Sequence, residues 1–161
     1  MNLWIDLDKT VWNCYNSNST SEIWAKQLVG EMTIVPTNSN ICYDSNGNIC
    51  RLHDGFREFC KRYHSSINLN IISAGACPNL TWNNQPSIKL LKTFGLYDYL
   101  CDIILEYKTL KKGLLLKTLP GSQNILIDDD LTQLSLAREN GIKVIDRATF
   151  ETWNTFQDLL I

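Results

Sequence analysis

Short apolar runs alternate along this chain with stretches in which apolar residues recur every three or four positions. Residues 2–6 (NLWID) are an apolar run ending in an acid. Residues 54–64 carry Phe56, Phe59, Cys60 and Tyr63 at helical spacing. Residues 68–73 (NLNIIS) predict a buried strand with Gly75 and Pro78 just beyond it. Residues 86–94 predict a helix closed by Gly95, residues 102–105 a short strand, and residues 110–119 a helix stopped by Pro120 and Gly121. Residues 124–127 predict a strand running into Asp128, Asp129 and Asp130; a helix over 131–140, a strand over 143–146 and a closing helix over 148–160 complete the pattern. Strands alternating with helices in this rhythm predict an α/β three-layer sandwich with a central parallel sheet. Ligands of such sheets bind at the carboxyl ends of the strands, where the acids and Ser73 fall.

Residues 11–52 break the rhythm. They are rich in Asn, Ser and Thr, with one candidate helix over 21–31, and they end in ICYDSNGNICRL, a hairpin signal around Asn46-Gly47. The segment reads as an insertion over the active edge within one domain, 1–161. Its composition cannot bury enough apolar surface to build a separate cap. The cap is therefore minimal or absent, with a β-hairpin flap after the first strand and an open or only partly covered site. Trp12 and Trp82 are candidate apolar or stacking surfaces beside it, with core packing as the competing role.

Composition narrows the function classes. The 161 residues carry a formal net charge of -2 and are 44% hydrophobic, which suits one compact domain. Apart from the series Lys108, Lys111, Lys112 and Lys117 the basic residues are scattered, which argues against nucleic-acid binding by phosphate neutralisation. No apolar run approaches the ~20 residues of a membrane-spanning helix, and acids stand where a leader would be basic and apolar, so a cytoplasmic protein is expected. The six cysteines form no CxxC pair and have no zinc-like spacing with the two histidines. Free thiols are expected. A two-residue turn at Asn46-Gly47 would put Cys42 and Cys50 on opposite faces; a three-residue Ser45-Asn46-Gly47 loop would set them opposite each other.

Chemistry concentrates in four places. WIDLDKTVW puts Asp6 and Asp8 at the end of the first strand with Thr10 following, and alternate strand residues share a face. Two such carboxylates repel unless a cation or proton lies between them. Three successive acids, Asp128 to Asp130, end another apolar strand. One of them would serve the first turn of the next helix, and three exceed that need. A shared Mg²⁺, which takes carboxylates, waters and phosphate oxygens, accounts for both clusters. Ser73 and Lys108, each at a strand end, are common turn and surface residues taken singly.

In this order, DxDxT in WIDLDKTVW, Ser in IISAGA, Lys in EYKTLKKG and acids in ILIDDD, the segments resemble the haloacid dehalogenase superfamily over about residues 2–147. The short insertion, the hairpin and the acid pair after ILI resemble its small magnesium-dependent phosphatases. Ala74 and Gly75 stand where that subgroup carries an Arg after the motif Ser, which leaves the substrate open. Asp8-Lys9-Thr10 resembles the phosphorylated loop of ion-pumping ATPases, but Val11-Trp12 follows where Gly-Thr is required.

The resemblance implies a Rossmann-like core and hydrolysis of phosphate monoesters through an aspartyl phosphate. Asp6 would be the nucleophile and Asp8 the general acid and base. Thr10, Ser73 and Lys108 would bind the phosphoryl oxygens, with Lys111 and Lys112 as rivals for the lysine. Mg²⁺ would be held by Asp6, the Asp8 main-chain carbonyl and Asp128, with Asp129 close by and either acid open as the direct ligand. The implied partner is a small-molecule or phosphopeptide phosphate ester, such as phosphotyrosine or a sugar phosphate, in a monomer or homodimer. An idle binding relative, a metal-dependent nuclease and a receiver domain are the alternatives. The first is opposed by the intact acids, the second by the missing basic path, and the third by the lack of an acid after NLNII.

Overall fold

Residues 1–18, 21–107, 110–121 and 123–159 are described by the computed structural model. Along the chain run β1 (Asn2–Ile5), β2 (Trp12–Tyr15), β3 (Glu22–Ile23), β4 (Thr33–Val35), β5 (Asn38–Tyr43), β6 (Ile49–Leu52), α1 (Phe56–Tyr63), β7 (Asn68–Ser73), α2 (Pro86–Thr93), β8 (Asp102–Leu105), α3 (Lys112–Thr118), β9 (Asn124–Asp128), α4 (Leu131–Glu139) and β10 (Lys143–Asp146). Strands β10-β9-β1-β7-β8 form one sheet, parallel throughout. β1 lies in the middle, and the chain builds outward from it first through β7 and β8, then through β9 and β10. The β1/β9 boundary is thus the point where the winding reverses, the usual ligand position in an open parallel sheet.

Strand alternation decides which helix meets which side chain. Leu3, Ile5, Leu69, Ile71, Ile125 and Ile127 point to one face and pack with Phe56, Phe59, Leu90 and Leu91 of α1 and α2. Trp4, Ile72 and Leu126 point to the other and pack with Leu116 of α3 and Leu134 and Ala137 of α4. These are the three layers the pattern predicts. Asp6 and Asp128 continue the register of Trp4 and Leu126, so they emerge on the side of α3, whose first residue is Lys112.

Residues 11–52 build more than a flap. Strands β3-β2-β6-β5-β4 form a second, antiparallel sheet. Its inward residues Trp12, Cys14, Cys42, Cys50 and Leu52 join the same core as Ile5 and Phe56. The hairpin takes the three-residue loop: Asp44 pairs with Asn48 through a 3.0 Å main-chain bond, and Gly47 has φ 78°. Cys42 accordingly faces Cys50. Cys50 also faces Cys14 on β2, with the sulfurs 2.7 Å apart, and all six thiols are free.

Two expected helices are absent. Over 21–31 the chain forms β3 and one 3-10 turn, Ala25–Gln27. Here the Ala25 amide is bound by Asp8 Oδ1 and the Val29 amide by Asp44 Oδ2, so tertiary bonds replace helical ones. The closing helix is two 3-10 segments, Arg147–Thr149 and Trp153–Leu159. Phe150, Trp153 and Phe156 recur every three residues, the period of a 3-10 turn, and their rings pack edge to face or stacked. Among the described residues no helix is long and apolar enough to cross a membrane.

Candidate active site

The loop after β1 is tight. The Thr10 and Val11 amides donate to Leu7 O at 3.0 and 2.8 Å, and Lys9, between them and Asp8, sits at φ 67°, a costly position for a side chain with a Cβ. Arg147 Nε and Trp153 Nε1 bind Thr10 O at 3.0 and 3.3 Å and hold the loop from behind. The loop, with the ends of β7 and β9, surrounds a cavity of about 350 Å³ lined by Asp6, Asp8, Ser73, Lys112, Asp128 and Asp129 among others.

Lys112 Nζ lies 2.7 Å from Asp6 Oδ1 and 2.6 Å from Asp128 Oδ2. Burial alone would lower its pKa, but the two carboxylates outweigh burial and hold the ammonium charged. Burial raises the carboxyls of Asp6 and Asp128, with Lys112 opposing. Carboxylate oxygens of Asp6, Asp128 and Asp129 lie within 4.8 Å of one another. Lys112 offsets one of three negative charges, and the remaining hard-oxygen cluster fits a divalent cation such as Mg²⁺.

Asp8 faces a different task. Its Oδ1 accepts from Trp12 Nε1 at 3.1 Å and from the Ala25 amide at 3.0 Å, which fixes the carboxyl plane. Burial raises its pKa, with those two bonds opposing, so the proton is kept to higher pH than on an ordinary aspartate. Ser73 Oγ accepts from the Gly75 amide at 3.1 Å, which leaves its own O–H to donate into the cavity.

The structure therefore brings Asp6, Asp8, Ser73, Asp128 and Asp129 together. Thr10, expected among the phosphate donors, is fully buried behind them, and its hydroxyl lies 3.2 Å from both Asp6 Oδ2 and Asp129 Oδ1. Lys108 lies outside the described residues; the lysine on the carboxylates is Lys112, reached because α3 begins on the face that Asp6 and Asp128 share. All three acids line the cavity, but they are engaged differently: Asp130 caps α4 by accepting from the Thr132 and Gln133 amides, while Asp128 and Asp129 cluster with Asp6.

Of the two tryptophans considered for the rim, Trp12 is core and Trp82 bonds Tyr97 Oη away from the site. Trp24 and Lys26 line the cavity instead. A tryptophan in a polar insertion was the available sequence signal for them. Gln133 was also missed: its side chain accepts from the Lys112 amide and donates to Leu110 O, fixing the start of α3.

No family model and no curated protein matches the chain. Among solved structures it is similar to a haloacid dehalogenase-superfamily hydrolase of subfamily IA, variant 1, from Geobacter sulfurreducens, with TM-score 0.52 and 16% identity over 70% of this chain and 57% of that one. A haloacid dehalogenase-like hydrolase from Streptococcus pneumoniae aligns with TM-score 0.43 and 18% identity over 60% of this chain and 46% of that one. The chain thus spans roughly half the length of both. In fold, the chain is similar to a hydrolase of the haloacid dehalogenase superfamily.

Proposed function

We propose that the chain is a hydrolase of phosphate monoesters that works through an aspartyl phosphate on Asp6. The observation that carries this reading is the Asp6–Lys112–Asp128 cluster at the winding reversal of the sheet, with the pKa-raised Asp8 on the same cavity. An Asp6 carboxylate oxygen would attack phosphorus as the ester P–O bond breaks, and Asp8 would give its proton to the departing oxygen. Water would then attack the phosphoryl-aspartate, its proton passing to Asp8, and inorganic phosphate and the free Asp6 carboxylate would be regenerated. Lys112 and the Ser73 hydroxyl would face the phosphoryl oxygens, where charge spreads in the transition state. Thr10 would position Asp6 and Asp129. A Mg²⁺ held by Asp6, Asp128, Asp129 and the Asp8 main-chain carbonyl would supply further charge neutralisation.

The test is turnover of 4-nitrophenyl phosphate with and without Mg²⁺. Wild type is expected to need the ion, and Asp6→Asn to lose at least about 10³-fold in kcat, because no covalent route remains. Asp8→Asn should also be severely impaired, most of all on esters with poor leaving groups. Near-normal turnover by Asp6→Asn would end this reading.

A further inference from the structure

The insertion places one aromatic ring and one unpaired cation on the cavity wall. Trp24 is 49% exposed and lines the cavity, with Lys26 beside it. The strand-to-turn segment that carries them is fixed at three points. The Ala25 amide is bound to Asp8 Oδ1, the Trp24 amide donates to Gln27 Oε1 at 2.8 Å, and Cys77 Sγ donates to Lys26 O at 3.1 Å. Lys9 Nζ stands 5.1 Å from the Trp24 ring centroid and is itself paired with Glu22 at 3.7 Å. The ring is thus steadied from within the fold while half of it stays open. Lys26, by contrast, has no carboxylate within ion-pair distance among the described residues.

We propose that Trp24 and Lys26 select the leaving group, and that the preferred substrate is an aryl phosphate carrying a second anionic group on its ring. The proposal rests on the phosphatase reading above. Asp8 must lie against the ester oxygen, and the residue bound to Asp8 is Ala25, so the first atoms beyond that oxygen meet Trp24. A flat ring attached directly to the oxygen stacks there. A sugar would need hydroxyl partners; Ala74 and Gly75 offer no polar side chain, and those of Asp130 and Gln133 are already engaged in holding α4 and the start of α3. The floor is acidic with Asp6, Asp8, Asp128, Asp129 and Asp130, and its Lys112 is paired with Asp6 and Asp128, so Lys26 is the cation left to receive a second anion.

The experiment compares kcat/KM for phenyl phosphate, 4-carboxyphenyl phosphate and glycerol 2-phosphate in wild type, Trp24→Ala and Lys26→Gln. Ratios between variants remove the intrinsic difference in leaving groups. Trp24→Ala is expected to lose about 3- to 10-fold more on the two aryl esters than on the glycerol ester. Lys26→Gln is expected to reduce the ratio of carboxylated to plain aryl ester by about 2- to 5-fold. Both side chains are exposed, and an unchanged Tm checks that the fold is intact. Equal losses by Trp24→Ala on all three esters, or no change of ratio in Lys26→Gln, overturns the proposal while the phosphatase reading stands. A wild type that cleaves none of the three overturns both.

Discussion

At the scale of single residues, position in the register decides which side chains meet the acids at the strand ends. Three lysines, Lys108, Lys111 and Lys112, stand close together in the sequence, and among the described residues Lys112 is the lysine placed between Asp6 and Asp128. Lys112→Met would leave two buried carboxylates facing each other, which costs about 3–5 kcal/mol in comparable buried pairs. A lower Tm and a loss of at least about 10²-fold in kcat/KM are expected. If Lys108→Met rather than Lys112→Met removes activity, the assignment reverses.

A second residue-scale prediction concerns His53. Burial, then the Arg147 guanidinium, lowers its pKa to about 4. Arg147 Nη2 can only donate, so His53 Nδ1 must accept at 3.1 Å and the proton sits on Nε2, toward Asn13 Oδ1. A folded pKa below the ordinary 6.5 means that the unfolded state binds the proton first. The stability His53 contributes is complete above about pH 6.5 and is lost as pH falls toward 4. His53→Gln should flatten that part of the stability curve in urea denaturation; an unchanged slope between pH 6.5 and 4 contradicts it.

Among elements, α3 and α4 show how close packing sets the Lys112 side chain. Gly113 follows Lys112, and a Cβ there would lie 2.5 Å from Ala137 Cα and 2.8 Å from its nitrogen. Gly→Ala in a free helix gains about 1 kcal/mol. Here the clash is with backbone, so α3 must move off α4, at a cost of roughly 1–3 kcal/mol. Gly113→Ala should therefore destabilise the protein and, by shifting Lys112, lower kcat. A more stable variant would show that the helices separate freely. The parallel strands and most helices were legible at this scale because each carries its own period and its own stop, as Gly95 and Pro120 show. The 21–31 segment was not, because its amides are bound by Asp8 and Asp44, remote in sequence.

For the whole molecule, the two sheets share one core, and this is testable through the thiols. Cys77 is half-buried and Cys101 exposed; the other four are buried, with Cys42 and Cys60 pushed up to about 11 and 12 by burial. A thiol reagent at pH 8 should label two groups quickly in the native protein and all six after denaturation without reductant. Cys14, Cys42 and Cys50 in the antiparallel sheet and Cys60 on α1 should then react at one common rate, that of global opening. Faster labelling of the first three would show that the insertion opens by itself. Fewer than six groups on denaturation would point to the Cys14–Cys50 pair, whose sulfurs are in contact.

The sequence by itself determined the parallel core and the positions of Asp6, Asp8, Ser73, Asp128 and Asp129, because strand alternation and strand ends are local properties of the pattern. Only the tertiary structure decided that Lys112 reaches those acids, that Thr10 turns inward to them, and that Trp24 and Lys26 rather than the hairpin border the cavity. Each of these depends on which elements meet across long sequence separations, and register along one element does not encode that.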